Sequence, residues 1–446
     1  MRRIRPGPAY RAAFLAITLS WWTGSAVVAQ GADDPTPSAI ERDVDPSIRP
    51  GDDFFAYANG GWLKSTTIPV GMERWTARNE IDELTRQQIL KLLDSAGTAP
   101  AGSAARKVAD FRAAWLNEVA NEARGMTALK PVLDSIDHVQ DKAALTRVLG
   151  RELGADVDPM NWGVYRSSHL LGLSVEPSIH GEKTYVAFLL QGGLGLPDRE
   201  HYVSAEPSMA ELRGRYQEYI GRLMSLGGFD RAEQRARAVM ALETAMARAQ
   251  ATREASANEH NADSLWTRAD FARRAPGMDW SACFAAAGLA RQKAFVGWQP
   301  GALEGLAALV ASESLETWKD YLRFHVFDAA ADVLPRAFAE QALALHSAAT
   351  TGQPEPTSRA QRALEATQAA MSDALGRMYA ERYFPAEKKA RVRAIATNVI
   401  EAFRRGPSSV NTRRGMHLSW CCCPSSRRSS RYGRPSFSTR RAGLPR

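Results

Sequence analysis

Apolar residues recur with helical spacing through most of this chain. Within 104–120, for example, Val108, Phe111, Ala114, Trp115 and Val119 fall on one face of a helix. This spacing is typical of an amphipathic α-helix that buries one side. Similar patterns occur at 75–93, 127–137, 141–153, 208–226, 230–253, 300–312, 315–346 and 358–382. Residues 52–405 are therefore predicted to form a mostly α-helical domain.

Two short stretches interrupt the helical pattern. Residues 170–175 and 184–190 are rich in β-forming residues, and a turn-like segment at 177–181 separates them. They predict a short β-hairpin. Asp230 and Ser358 stand just before helical stretches and are predicted to be N-caps.

Composition places the chain among globular proteins, with 45% hydrophobic and 24% charged residues. The net charge of +8 comes from the two ends, since four arginines lie in residues 1–29 and nine in residues 406–446, with no acid in either segment. The remainder, 30–405, has a net charge of −5. The overall charge therefore gives no reason to expect nucleic-acid binding.

The first 29 residues resemble a secretory signal peptide. Basic residues precede a short apolar run, and small residues at 27–29 offer a cleavage site. Cleavage would leave an exported protein, periplasmic or secreted, with no stable membrane insertion; the alternative is an uncleaved membrane anchor. Residues 30–51 form a proline-rich linker.

The last segment, 406–446, contains nine Ser, nine Arg and no Asp, Glu or Lys. Its apolar residues have no helical or strand period, whereas the stretch just before it has a clear apolar stripe that ends at Phe403. Gly406 and Pro407 would end that helix. We interpret 406–446 as an aberrant, out-of-frame tail; the alternative is a basic tail that binds anionic lipid or nucleic acid.

No catalytic or metal-binding residue is predicted from local chemistry. No two histidines lie three to five residues apart, so the pair of imidazoles that a helical zinc motif needs is absent from the sequence. There is no G-x-S-x-G motif. Cys283 has apolar neighbours that indicate a buried thiol, and the glycine-rich run at 192–197 reads as a tight turn because Pro197 and Asp198 do not suit a dinucleotide loop.

Three stretches, in order along the chain, resemble the neprilysin-like zinc metallopeptidases. They are PGDDFFAYANGGWLK at 50–64 followed by Ile68-Pro69, QGGLGLPDR at 191–199 with Tyr202, and LGRMY at 375–379 followed by YFP at 383–385.

The resemblance implies a fold and a family activity. Members have a large helical N-terminal portion that caps a thermolysin-like catalytic domain and encloses a cavity for small peptides. The match covers only the N-terminal portion, and the family's H-E-x-x-H, its third zinc ligand and its substrate-backbone motif have no counterpart in this sequence. The catalytic domain is thus expected to be absent, with no cofactor in this chain although full-length members carry zinc.

One substrate-binding residue carries over by position. In neprilysin an Arg five residues after Ile-Pro grips the free carboxylate of short peptides, and the count from Pro69 gives Arg74. The alternative is a solvated Arg at a helix entry. Phe54, Phe55, Tyr57 and Trp62 could line a peptide cavity, but core packing is the expected role, and Asp198 and Arg199 could form an ion pair that fixes the turn.

Three hypotheses follow. The chain is the cavity-forming portion of an exported zinc endopeptidase, inactive alone; or it is a non-catalytic helical protein that binds peptides or docks a partner; or it is a fragment that does not fold stably, because the helix over 386–404 lacks the surface it should pack against.

Overall fold

A computed structural model describes residues 43–69, 74–155, 157, 167–178, 184–349 and 358–409. The chain divides into two compact units. The first comprises residues 1–85 and 117–358, and the second comprises 86–116 and 359–446. The signal peptide, most of the linker and nearly all of the tail lie outside the described residues, so those assignments stay predictions.

Helices make up most of the described chain, which confirms the mostly α fold. The first seven are α1 (Phe54–Ser65), α2 (Ala77–Ala96), α3 (Ala104–Leu116), α4 (Glu118–Arg124), α5 (Lys130–Asp137), α6 (Lys142–Glu152) and α7 (Glu200–Val203). The next six are α8 (Pro207–Leu226), α9 (Ala232–Ala249), α10 (Arg253–Ser256), α11 (Arg268–Arg274), α12 (Trp280–Ala286) and α13 (Pro300–Ser312). The last five are α14 (Leu315–Ala330), α15 (Arg336–Ala349), α16 (Arg359–Ala370), α17 (Ser372–Tyr383) and α18 (Ala386–Ser409).

Three predicted helices are broken in the structure, and one of them, the stretch 358–382, divides at Met371 between α16 and α17. The stretch 104–120 divides at Asn117, whose side chain accepts a hydrogen bond from the amide of Ala120 and caps α4. The stretch 315–346 divides before Pro335, because the ring disfavours helical geometry at the preceding residue, and Leu334 is extended with ψ of 176°. A periodic apolar stripe continues across the breaks at Asn117 and before Pro335, which is why periodicity alone did not reveal them.

The predicted hairpin is present, but it belongs to a larger sheet. Strands β1 (Leu171–Pro177) and β2 (Tyr185–Gln191) pair antiparallel, with Leu171 opposite Gln191. Two short strands, β3 (Leu265–Thr267) and β4 (Ala294–Gly297), complete a four-stranded sheet in the order β1-β2-β4-β3, with β2 and β4 parallel. Strands of three and four residues are too short to carry a periodic signal.

The start of α9 differs from the prediction. Its N-cap residue is Arg231, in a left-handed conformation with φ of 49°, and Asp230 does not cap the helix. The carboxylate of Asp230 instead accepts a hydrogen bond from Nη2 of Arg235 at 3.0 Å. Ser358 does stand immediately before α16.

Each unit has its own core. In the first unit a large apolar cluster is centred on α6, α8, α9, α13 and α14, and includes the fully buried Trp266, Trp318 and Phe324. In the second unit a small cluster of Ile89, Leu93, Val108, Leu364 and Leu375 joins α2, α3, α16 and α17.

The last described helix, α18, does not bury its apolar stripe. Its members are exposed, Phe403 to 78%, and they are Val392, Ile395, Val399, Ile400 and Phe403. The helix also runs past the predicted end at Gly406 and Pro407 to Ser409. The sequence pattern thus predicted a helix correctly but gave no information on what covers it.

Candidate functional site

The predicted substrate residue Arg74 lies three residues before α2. Its side chain is exposed, and it makes no hydrogen bond or ion pair with any described residue. Ile68, in the same segment, is also exposed. The guanidinium is therefore available to a ligand, and the substrate role of Arg74 stays a prediction.

The aromatic residues of α1 do not all take the core positions expected of them. Phe54 and Phe55 are 70% and 67% exposed, so the core-packing prediction is wrong for these two. Trp62 is half-buried and its indole N–H donates to Glu80 at 2.9 Å. Gly60 is the buried residue of α1, and Phe54 and Phe55 lie away from the side that it marks.

The most highly organised polar group in the first unit surrounds Glu243. This carboxylate lies on the buried face of α9 and has no exposed surface. It accepts hydrogen bonds from the hydroxyl of Tyr202 at 2.5 Å and the hydroxyl of Tyr216 at 2.9 Å. Nε2 of His325 lies 2.9 Å away and the amide of Gly195 3.3 Å away. Several donors converge on this carboxylate, which is what burial of such a group requires.

These partners hold the glycine-rich run in place. The amide of Leu196 donates to the Tyr202 hydroxyl at 2.8 Å, and the Tyr321 hydroxyl donates to the carbonyl of Gly193 at 2.9 Å. The side chain of Gln250 donates to the carbonyl of Gly192 at 2.7 Å. The interpretation of this run as a fixed turn after a strand agrees with the structure.

The glycines are required because tyrosine hydroxyls and backbone approach them closely. A Cβ on Gly195 would overlap the hydroxyl of Tyr216, and one on Gly193 would lie 2.8 Å from that of Tyr321. Gly193 also has φ of 87°, which side chains rarely adopt. The motif that carries the family resemblance at 191–199 thus has a structural cause in this chain.

Burial sets the protonation of this cluster. Desolvation, followed by the charge of Glu243, raises the pKa of Tyr202 and Tyr216 well above the usual value, so both hydroxyls remain donors. Burial alone would lower the pKa of His325, but its hydrogen bond to Glu243 and the charge of that residue outweigh burial and raise it. Burial also raises the pKa of the nearby Glu152.

The ion pair expected between Asp198 and Arg199 is replaced by other pairs. Asp198 contacts Nδ1 of His201 at 2.9 Å and Nη2 of Arg253 at 3.0 Å, while Arg199 pairs with Glu200 at 2.6 Å. His201 lies one turn along the chain from Asp198 and so faces its carboxylate.

The side chains of the described residues do not fit the zinc ion that the family resemblance implies. The contacts between histidine and carboxylate, at His201, His260 and His325, each bring a single imidazole to a single acid. Within the described ranges, no three His, Cys, Asp or Glu side chains are grouped so that they could hold a metal. Burial raises the pKa of the Cys283 thiol to about 12, which fits the buried thiol that was predicted.

Glu243 was not recognised from the sequence. The sequence did contain one indication of a buried carboxylate: Glu243 lies within the apolar stripe of α9, next to Leu242 and between Val239 and Met246. A carboxylate in such a position needs buried donors, but the donors come from α7, α8 and α14 and cannot be identified from spacing along α9.

Comparisons with known proteins identify the class to which this fold belongs. Residues 50–406 match the family model described as Peptidase family M13. The chain therefore belongs to peptidase family M13.

Individual relatives agree with this assignment. Endothelin-converting enzyme 1 of Mus musculus is 28% identical over 245 residues, which cover 54% of this chain and 31% of that protein. Endothelin-converting enzyme-like 1 of Homo sapiens is 28% identical over 213 residues, covering 47% of this chain and 27% of that protein. The chain thus aligns with about a third of the length of these relatives.

Solved structures support the fold. Mycobacterium tuberculosis zinc metalloprotease Zmp1 in its open state has a TM-score of 0.69 at 27% identity, with 82% of this chain and 56% of that chain covered. PepO from Lactobacillus rhamnosis HN001 has a TM-score of 0.59 at 16% identity, with 80% of this chain and 55% of that chain covered, and shows likeness of fold alone. Among the described helices, none is both long and apolar enough to cross a bilayer.

Proposed function

We propose that this chain is the cavity-forming N-terminal portion of an exported M13 zinc endopeptidase, and that it does not cleave peptides alone. The match to family M13 over residues 50–406 carries this proposal. The structural comparison with Zmp1 supports it, because 82% of this chain aligns with only 56% of the Zmp1 chain. The exposed stripe of α18 adds to it, because a surface helix of a self-sufficient domain normally turns its apolar face inward.

The proposed lack of activity rests on the chemistry of amide hydrolysis. A zinc peptidase polarises the peptide carbonyl with the metal and activates a water molecule with a carboxylate. Catalytic zinc takes three protein ligands, and the common helical motif supplies two histidines one turn apart. The sequence contains no two histidines at that spacing.

A cleavage assay tests this proposal. The purified 446-residue chain is incubated with a fluorogenic peptide in the presence of zinc, with and without a chelator. We expect no cleavage above that of a zinc-containing blank. Chelator-sensitive cleavage that follows the protein through two purification steps would overturn the proposal.

Three exposed side chains, those of Phe54, Phe55 and Arg74, favour peptide binding as a second function. Phe54 and Phe55 offer apolar contact, and Arg74 offers a guanidinium that could form two charge-assisted hydrogen bonds with a terminal carboxylate. On this proposal Arg74 grips the free carboxylate of a small peptide, and no hydrolysis follows.

Peptides with free and amidated C-termini test the role of Arg74. We expect the free acid to bind about tenfold more tightly than the amide, and Arg74→Gln to abolish that difference. Arg78→Gln is the matched control, because Arg78 is already paired with Asp82 at 2.9 Å. Equal binding of both peptides to the unmodified chain would exclude the Arg74 role.

A further inference from the structure

A concave site lies between α8 and α9 in the first unit. It has a volume of about 570 Å³ and is lined by ten residues. Its apolar wall includes the ring of Tyr202, Val203 and Met240, and its polar wall includes Arg213 and Arg248. Its ten lining residues, all within the part of the chain that the structure describes, contain two arginines and no Asp or Glu.

The guanidinium of Arg213 is held in a fixed position without being neutralised. Its Nη1 donates to the carbonyls of His201 and Ser204, both at 3.0 Å. Carbonyl oxygens orient the group but leave its positive charge uncompensated. Neither Nε nor Nη2 of Arg213 donates to any other described residue, so part of its planar fork remains available.

Arg248 adds a second positive charge at the same cavity. It is exposed near the end of α9 and forms no ion pair with any described residue. Glu211 pairs with Arg215 at 2.6 Å, and Asp198 pairs with His201 and Arg253. Glu206, next in sequence to the lining residue Ala205, is exposed and is not itself among the lining residues. The buried Glu243 bonds to the Tyr202 hydroxyl on the inner side of the cavity wall.

We propose that this cavity binds a small organic carboxylate, with Arg213 and Arg248 holding the carboxylate and the wall of Tyr202, Val203 and Met240 holding its apolar part. A guanidinium fork suits the two oxygens of a carboxylate, and one that is already oriented loses little entropy on binding. The apolar wall favours an organic acid over an inorganic anion, which has no apolar part to bury. This proposal does not depend on the proposed peptidase function, and Arg74 is not among the residues that line the cavity.

The probe is para-fluorobenzoate, followed by fluorine NMR in the presence of the full chain. We expect millimolar binding that weakens with added salt, and no comparable binding of the neutral para-fluorobenzamide. Arg213→Gln and Arg248→Gln should each weaken the benzoate about tenfold. Arg222→Gln is the control, because Arg222 is exposed on the same helix α8 and pairs with Glu218.

The Arg213→Gln variant loses two hydrogen bonds to the carbonyls of His201 and Ser204, and this loss could disturb the fold there. Arg248→Gln tests the proposal without that complication. Arg248 is exposed and bonds to no described residue, so its removal leaves the fold intact. Equal binding of the benzamide, unchanged affinity in Arg248→Gln, or complete displacement of the benzoate by an equal concentration of inorganic phosphate would each overturn the proposal.

Discussion

The buried Glu243 and the half-buried His325 form a pair whose two members stabilise each other. His325 contacts the carboxylate at 2.9 Å, and its ring is tilted against that of Tyr321, with ring centroids 4.3 Å apart. Glu152 and Asp328 also act on His325 electrostatically, and both favour its charged form. A charged imidazolium in this position therefore stabilises the native fold of the first unit.

This pair predicts a dependence of stability on pH. The folded pKa of His325 lies above its ordinary value of 6.5, so the folded state binds the proton more tightly than the unfolded chain. The contribution is complete below pH 6.5 and is lost as the pH rises through the folded pKa. We expect the free energy of unfolding in urea to decline over that interval.

His325→Gln should remove this decline, since Gln does not titrate. The control is His260→Gln, because His260 is exposed and contacts only the exposed Asp263 at 3.5 Å. A decline that persists unchanged in His325→Gln would contradict the assignment. Glu152 and the buried Asp320 are then candidates for its cause. Burial raises the pKa of both carboxyl groups, and a carboxyl group whose folded pKa is raised also contributes less stability as pH rises.

At the scale of elements, the glycine-rich run is fixed by contacts from four helices, because the amide of Gly195 also donates to Glu243 of α9. Tyr202 of α7, Tyr216 of α8 and Tyr321 of α14 surround it, and Glu243 of α9 joins the first two. The run therefore acts as the point at which these helices and β2 are held together. Its glycines are needed for packing in this unit rather than for binding a phosphate.

Gly195→Ala should destabilise the first unit by about 2 kcal/mol, the usual cost of an overpacked core. The added methyl group would overlap the Tyr216 hydroxyl, which is fully buried and cannot move aside. Gly214→Ala is the control, because nothing lies within 4 Å of the new Cβ in mid-helix α8, and it should stabilise by about 0.5–1 kcal/mol. Thermal unfolding measures both, and a neutral Gly195→Ala would contradict this packing.

Helices and the hairpin were predictable because each depends on local periodicity. The break at Pro335 had a local signal too, since the residue before a proline avoids helical geometry. The pairing of β2 with β4 had none, because it joins segments about a hundred residues apart and β4 has only four residues. The donors to Glu243 likewise come from distant helices, so its role required coordinates.

At the scale of the whole molecule, the described chain combines well-formed cores with apolar surface that faces solvent. Phe54 and Phe55 lie exposed on α1 in the first unit, and the α18 stripe lies exposed in the second. Exposed apolar patches of this kind mark interaction sites or favour aggregation. Both are consistent with the proposal that this chain forms the N-terminal portion of an M13 peptidase.

The central claim is that this chain has no catalytic zinc site of its own, and the zinc content of the purified protein tests it most directly. After dialysis against metal-free buffer, atomic spectroscopy should find far less than one zinc per chain. One tightly held zinc per chain that resists the dialysis would contradict the account, because it would require converging ligands that neither the sequence spacing nor the described side chains provide.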